Sequence, residues 1–128
     1  MKITLQGEVP SKKNGRVMNC KTKRSFPNQR YKKWHDAVVS QLNYMLLTKQ
    51  IVSFECMKVK MTVTFWHGDK VRRDSDNQLS SILDTLVDAK ILSDDNWKVI
   101  PEKHIYDKYE KNKARCEIEI EPIGEKSK

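Results

Sequence analysis

The chain has 128 residues, of which 38% are hydrophobic and 33% charged, and its formal net charge is +8. This length fits one domain. No apolar run approaches the roughly 20 residues that a membrane-spanning helix would require, and no apolar signal-peptide segment is expected after Met1. The three cysteines are scattered without a CxxC or Cys/His cluster, which argues against a disulfide framework and a zinc site. We therefore expect a cytoplasmic protein with reduced thiols.

The N-terminal part of the chain combines a strand pattern with a basic segment. Residues 1–9 alternate apolar and polar side chains, which predicts a strand. Residues 10–27 contain proline, glycine and asparagine at turn spacing and read as a long loop, the kind that is usually functional or orders on binding. No acidic residue occurs between Glu8 and Asp36. A polyanion suits such a surface because neutralised phosphates release counterions, although a solvated basic loop without a ligand is the alternative.

The basic side chains that we assign to DNA lie between Glu8 and Asp36 and at two later positions of the chain. They are Lys12, Lys13, Arg16, Lys21, Lys23, Arg24, Arg30, Arg72 and Arg73. Because basic charge in the first turns of a helix opposes the helix dipole, a bound phosphate would relieve that cost near Arg30.

Hydrophobic periodicity predicts two helices and three further strands after the basic segment. Apolar residues recur at spacings of three and four over residues 28–49 and again over 76–90, which indicates amphipathic helices. Alternation over residues 55–66 predicts a strand, and two more are expected at 97–109, interrupted near Pro101, and at 114–122. The order β-α-β-α-β-β predicts a mixed sheet with two main helices packed on it, an α/β (α+β) fold. We expect one domain over residues 1–124 and a disordered tail at 125–128.

Two carboxylates stand at the junction between the second predicted strand and the second helix. Asp74 and Asp76 flank Ser75, and in extended chain such positions point to the same side. Capping of the helix is the structural alternative for Asp74 or Ser75. However, a cap needs one acceptor, whereas this junction supplies several, and like charges two residues apart repel unless a cation lies between them.

A third carboxylate, Asp95, lies in the turn that follows the second helix. If the next strand lies beside the one that ends near His67, we expect Asp95 to approach the sheet end that carries Asp74. Carboxylate oxygens bind Mg²⁺, with Mn²⁺ as a substitute, and such ions activate water for phosphodiester hydrolysis. The sequence therefore predicts a metal-dependent nuclease site.

These motifs together resemble the RusA family of Holliday junction resolvases. The residues that carry the resemblance are Arg73-Asp74-Ser75-Asp76-Asn77, Asp84-Thr85-Leu86 and Leu92-Ser93-Asp94-Asp95, with Val9-Pro10-Ser11-Lys12-Lys13-Asn14 similar to the family's opening. The resemblance implies a homodimeric, Mg²⁺-dependent endonuclease that resolves four-way DNA junctions, often encoded by a phage or prophage. It also implies that Asp74, Asp76 and Asp95 are the catalytic and metal-binding acids.

One position departs from the family pattern. The family often has a catalytic lysine four residues after its second acid, and this chain has Ser80 there. Another cation must then take that place, with Lys12 or Lys13 as candidates, or the activity is altered. We interpret Asp94 as shaping its turn, with a share in the role of Asp95 as the alternative, and Asp84 and Asp88 as a solvated helix face. Two other functions remain open: a non-catalytic protein that binds branched DNA, and a nuclease for flaps or other branched intermediates.

Overall fold

The structure is a computed structural model that describes residues 1–11, 17–19, 24–26, 29–71 and 75–123, with the backbone alone for 17–19 and 24–26. Its strands are β1 (Lys2–Gln6), β2 (Val17–Asn19), β3 (Arg24–Phe26), β4 (Val59–His67), β5 (Glu102–Tyr109) and β6 (Arg115–Pro122). Its helices are α1 (Gln29–Leu47) and α2 (Ser75–Asp88). None of the described helices is long and apolar enough to cross a membrane.

Four strands form a mixed sheet in the order β1-β6-β4-β5. The two pairings that involve β6 are antiparallel, whereas β4 and β5 are parallel. A parallel pair requires a crossover connection, and α2 supplies it between β4 and β5. The predicted α+β class and the order β-α-β-α-β-β of the main elements are confirmed.

The hydrophobic core lies between the helices and one face of this sheet. Alternate residues of β4 are buried, namely Val59, Met61, Val63 and Phe65, as their spacing predicted. They pack with the inward residues of β1 and β6 and with the apolar faces of α1 and α2. The opposite face of β4 is only partly covered, so the sheet buries one side.

The structure differs from the sequence predictions in two connections. The basic segment, expected to be a loop over residues 10–27, contains the antiparallel hairpin β2–β3. The strand expected from residue 97 begins instead at Glu102, because Asn96 holds a turn through backbone bonds from Val99 and Ile100. Gly7, with φ of 90°, ends β1, a conformation that side chains other than glycine rarely adopt. The expected tail at 125–128 lies outside the described residues.

Candidate functional site

Asp76 lies in the first turn of α2, and its side chain is exposed. A carboxylate is favourable at this position because the amides of the first turn leave partial positive charge there. Asp74, Arg72 and Arg73 precede the helix in sequence and lie outside the described residues. The structure therefore locates one of the two neighbouring acids that the sequence singled out.

A buried polar network fixes the first turns of α2 against the end of β4. Oε2 of Glu8 accepts hydrogen bonds from Nε2 of Gln78 at 2.8 Å and from Nδ1 of His67 at 2.9 Å. Nε2 of Gln78 also donates to the backbone oxygen of Val9 at 2.9 Å. Both partners of that nitrogen are acceptors, which sets the orientation of the buried Gln78 amide. The network places Asp76 at the His67 end of β4.

His67 lies between two carboxylates, Glu8 on one ring nitrogen and Asp107 on the other, each at 2.9 Å. Burial acts to lower the pKa of His67, but the hydrogen bonds to Asp107 and Glu8 and the charges of those residues outweigh it and raise the pKa above 6.5. The His67 ring therefore joins β4, β5 and the segment after β1 at this end of the sheet, and its two carboxylate partners favour the protonated form.

Replacing His67 with glutamine is expected to remove a pH-dependent part of the stability. Because folding raises the pKa of His67, its contribution is fully present below about pH 6.5 and is lost as the pH rises through the folded-state value. Urea unfolding between pH 5.5 and 8.5 measures this. The free-energy difference between the parent and His67→Gln should shrink as the pH rises.

The exposed His104, which bonds Glu102 at 2.8 Å, provides the matched control His104→Gln. This control should keep the pH dependence that the parent owes to His67. If the difference in unfolding free energy between the parent and His67→Gln stayed constant from pH 5.5 to 8.5, His67 would not be the source of the pH dependence.

Asp95 lies in a turn that hydrogen bonds of the neighbouring side chains stabilise. Oδ1 of Asp94 accepts the Asp95 N–H at 2.7 Å, and Oδ2 of Asp94 accepts a hydrogen bond from Asn96 at 3.2 Å. Oδ1 of Asn96 in turn accepts the N–H of Lys98 at 2.9 Å. The prediction that Asp94 shapes the turn is confirmed. Asp95 itself is exposed, and no hydrogen bond to its carboxylate is found within the described part of the chain.

Within one chain, Asp76 and Asp95 lie at opposite ends of the sheet. The Val59 N–H donates to the Val99 oxygen at 2.9 Å, which places the Asp95 turn near the start of β4. Asp76 is beside the other end, and β4 is about 26 Å long at about 3.3 Å per residue. The expectation that Asp95 approaches the strand end leading to Asp74 is therefore wrong for a single chain. Because β4 and β5 are parallel, α2 must return the chain to the start of β4.

Among the residues for which the structure describes side chains, no three His, Cys, Asp or Glu side chains cluster as a metal site. Asp76 and Asp95 nevertheless offer carboxylate oxygens on exposed, ordered turns. Such oxygens are the donors that a hard divalent cation prefers.

Most of the side chains assigned to DNA lie outside the described residues: Lys12, Lys13, Arg16, Lys21, Lys23, Arg72 and Arg73. Arg24 is in β3, where only the backbone is described. Arg30 is exposed in the first turn of α1. Arg30 is therefore the one whose exposure agrees with the predicted basic surface.

The family model of endodeoxyribonuclease RusA matches residues 6–121. The chain belongs to the RusA endodeoxyribonuclease family. It is therefore an enzyme that cuts DNA, and the family implies action on Holliday junctions. A comparison with curated proteins finds no match. The matched range includes Asp74, Asp76 and Asp95, so the resemblance seen in three separate motifs extends over most of the chain.

Ser80, the departure from the RusA family pattern, is half-buried one turn after Asp76. Its neighbour Ser81 donates from Oγ to the Pro10 oxygen at 2.7 Å. The segment that leads into Lys12 and Lys13 therefore contacts α2 at Ser81, the residue after Ser80 in sequence, and Ser11 is its last described residue.

Two acids on α2 contact α1 in this RusA family member. Oδ2 of Asp84 accepts a hydrogen bond from the Tyr31 hydroxyl at 3.0 Å, and Oδ2 of Asp88 bonds His35 at 2.7 Å. Burial and the Asp84 contact raise the pKa of Tyr31. Asp88 is exposed, as the interpretation of a solvated face predicted, whereas Asp84 is half-buried, and both acids also join α2 to α1. Sequence reasoning also missed the network of Glu8, since no local pattern links residues 8, 67 and 78.

Proposed function

We propose that this chain is a Mg²⁺-dependent Holliday junction resolvase that cuts four-way DNA by paired, symmetric nicks in recombination and repair. The family match over residues 6–121 carries the proposal. The exposed carboxylate of Asp76 in the first turn of α2 supports it. The protein would act in the cytoplasm of a bacterial or phage-infected cell.

We propose Asp74, Asp76 and Asp95 as the residues that hold the metal. Their donor set suits Mg²⁺, with Mn²⁺ as a substitute, because both are hard cations that prefer carboxylate oxygens. The bound ion supplies a Lewis acid that favours deprotonation of the attacking water and stabilises the leaving oxygen. The basic side chains near residues 12–30 and 72–73 would hold the flanking phosphates.

We propose that the complete site forms between two chains of a homodimer. In one chain the strand geometry separates Asp76 from Asp95 by roughly the length of β4, about 26 Å. A metal ion with oxygen ligands at about 2.1 Å cannot bridge that distance. A two-fold dimer that sets Asp95 of one chain beside Asp76 of the other would give two identical sites, which suits two symmetric nicks.

The test is incubation of a synthetic four-way junction with the protein, with and without Mg²⁺. We expect paired nicks at symmetric positions in opposing strands, dependent on the divalent ion. Linear duplex of the same sequence is the matched control and should remain largely uncut. Binding of the junction without Mg²⁺-dependent nicks would overturn the proposal.

Ser80 alone would favour a branched-DNA-binding protein without nuclease activity, but the chain belongs to a family of endodeoxyribonucleases, which argues against that alternative. The same acids could also serve a nuclease for flaps or other branched replication intermediates. That activity would cut flap and fork substrates faster than the four-way junction in the same assay.

A lysine from the basic segment would replace the cation missing at Ser80. The contact between Ser81 and Pro10 supports Lys12 or Lys13 for this role, because it anchors the segment that precedes these lysines to α2 at Ser81, next to Ser80 in sequence. Replacing both lysines with alanine is expected to lower the cutting rate by about 10- to 100-fold, since one cationic contact to the transition state is lost. Single-turnover cutting and junction affinity should be measured together.

Rescue distinguishes this role from general DNA binding. Adding Ser80→Lys to the double alanine variant should restore most of the cutting rate. The control changes the exposed Lys32 and Lys33 of α1 to alanine, which removes the same charge elsewhere. The double alanine variant could instead lose enough junction affinity to explain all of its lost cutting, and Ser80→Lys could fail to restore the rate. That result would contradict a catalytic role for Lys12 or Lys13.

A further inference from the structure

The strand β5 lies at the edge of the sheet and is accessible on both faces. In the described structure it pairs with β4 alone. Seven of its eight side chains are exposed and only Ile105 is half-buried. A long, regular edge strand offers a row of backbone groups to another strand, and proteins usually cover, shorten or bend such edges. Nothing of that kind is seen along β5 in the described part of the chain.

The backbone of β5 presents alternate residues to this free edge. The N–H of Glu110, one residue beyond the strand, donates to the His67 oxygen, so even-numbered positions face β4. Backbone direction alternates along a strand, and the odd-numbered Lys103, Ile105 and Asp107 therefore face away from β4. Their N–H and C=O groups are the ones available to a new partner.

The side chains of β5 are complementary to a second, antiparallel copy of the same strand. A pairing centred on Ile105 sets Lys103 opposite Asp107 and Glu102 opposite Lys108, each twice by symmetry. His104 then faces Tyr106, and the two Ile105 side chains meet at the axis. Every charged residue of the strand acquires an opposite charge directly across, which favours this pairing.

Neighbouring registers lack this complementarity. Centring the pair on His104 or on Tyr106 sets Ile105 opposite Lys103 or Asp107, so a charge faces an apolar side chain. Centring it on Lys103 or Asp107 sets like charges against each other, which is destabilising. The register centred on Ile105 also pairs odd-numbered residues, whose backbone groups face the free edge, and forms hydrogen bonds in both directions.

The contacts within one chain leave part of each carboxylate available, while Nζ of Lys108 lies over the Trp66 ring, 5.2 Å from its centroid. Asp107 uses Oδ1 for His67, and Glu102 uses Oε2 for both Lys60 and His104. One oxygen of each carboxylate therefore has no hydrogen bond within the described structure. The side chain of Asp107 is 47% exposed and that of Glu102 is 49% exposed.

Exposed apolar side chains at the two ends of β5 extend the surface. Trp97, before the strand, is 72% exposed, and Val71 and Tyr109, at its other end, are 63% and 47% exposed. Val71 and Tyr109 line an open pocket of about 320 Å³. An antiparallel pairing brings the start of one β5 beside the end of the other, so each Trp97 would approach the pocket of the second copy.

We infer that β5 pairs antiparallel with β5 of a second copy of this chain, centred on Ile105, and joins the two sheets into one. This surface rests on the homodimer of the proposed function and specifies how it forms. In this pairing, the Asp95 turn of each copy lies at the same end of the joined sheet as Asp76 of the other copy. The isologous contact is closed, so it gives a dimer and leaves no free β5 edge.

Charge reversal tests this register. Lys103→Glu sets glutamate opposite Asp107, and Asp107→Lys sets lysine opposite Lys103, so each variant alone carries two repulsive pairs. Each is expected to raise the dimer dissociation constant about 10- to 100-fold, measured by sedimentation. An equimolar mixture should form heterodimers with near-parent affinity, because every pair across the axis is again opposite in charge. Lys32→Glu on α1 is the matched control and should dimerise like the parent.

Any one of three results would overturn the pairing of the two β5 strands. These are a parent that remains monomeric, single variants that dimerise normally, and a mixture without restored affinity. Should Asp107→Lys lose its circular dichroism signature through the loss of its His67 contact, Glu102→Lys and Lys108→Glu supply the same test on the opposite face. Unimpaired dimers of Lys103→Glu that still cut junctions would reject this surface and leave the nuclease proposal standing. Variants that dimerise as expected, in a protein that never cuts DNA, would support this surface and reject the nuclease proposal.

Discussion

Replacing Asp76 with asparagine is expected to lower Mg²⁺-dependent junction cutting by at least about a thousandfold, which corresponds to about 4 kcal/mol of transition-state stabilisation. The amide keeps the size of the side chain but removes the charge that would hold a cation. Junction binding should be equal or tighter, because a negative charge near the DNA phosphates is lost. Single-turnover cutting and binding in Ca²⁺ measure the two effects separately.

The same helix offers a control for this substitution. Asp88→Asn makes the identical chemical change at the far end of α2, where the carboxylate bonds His35 rather than the site. Its cutting rate should remain within about threefold of the parent, because surface ion pairs contribute little. If Asp76→Asn cut as fast as Asp88→Asn, or if it lost junction binding, the role of Asp76 as a metal ligand would be excluded.

Side-chain periodicity predicted the elements because each amphipathic element buries a face of its own. The alternation through Val59, Val63 and Phe65 marks the inward face of β4 without any knowledge of its neighbours. The apolar residues of α2, such as Ile82 and Leu86, are buried for the same reason. The class of fold followed from the order of these elements.

Relations between distant elements were harder to predict. Whether β5 lies parallel or antiparallel to β4 decides which end of the sheet receives Asp95, and the apolar pattern of either strand is the same in both cases. The bond from Tyr31 to Asp84 likewise depends on how α1 crosses α2, and not on the sequence around Asp84. The family spacing identified three acids along the chain, but spacing along a chain does not fix distance in space.

Mixing two inactive variants is expected to restore cutting if the site is shared between chains. In a heterodimer of Asp76→Asn and Asp95→Asn, one site would carry both substitutions and the other neither. That intact site should nick one strand of the junction, and at random pairing about half of the dimers would contain it. Each variant alone should be inactive, so the restored rate should approach a quarter of the parent rate.

The reciprocal mixture separates a shared site from two sites within single chains. In the second mixture, one chain carries both substitutions and the other is unaltered. Each shared site of their heterodimer then contains one altered acid, so these heterodimers should be inactive. With sites confined to one chain, the outcomes reverse: the first mixture stays inactive, and the unaltered chain of the second keeps its own site. The parallel arrangement of β4 and β5 favours the shared site, because it sets Asp76 and Asp95 at opposite ends of each chain's sheet. The opposite result would be an inactive first mixture and a second mixture that is more active than its residual parent homodimers. That result would require Asp95 to move by about the length of β4 within its own chain.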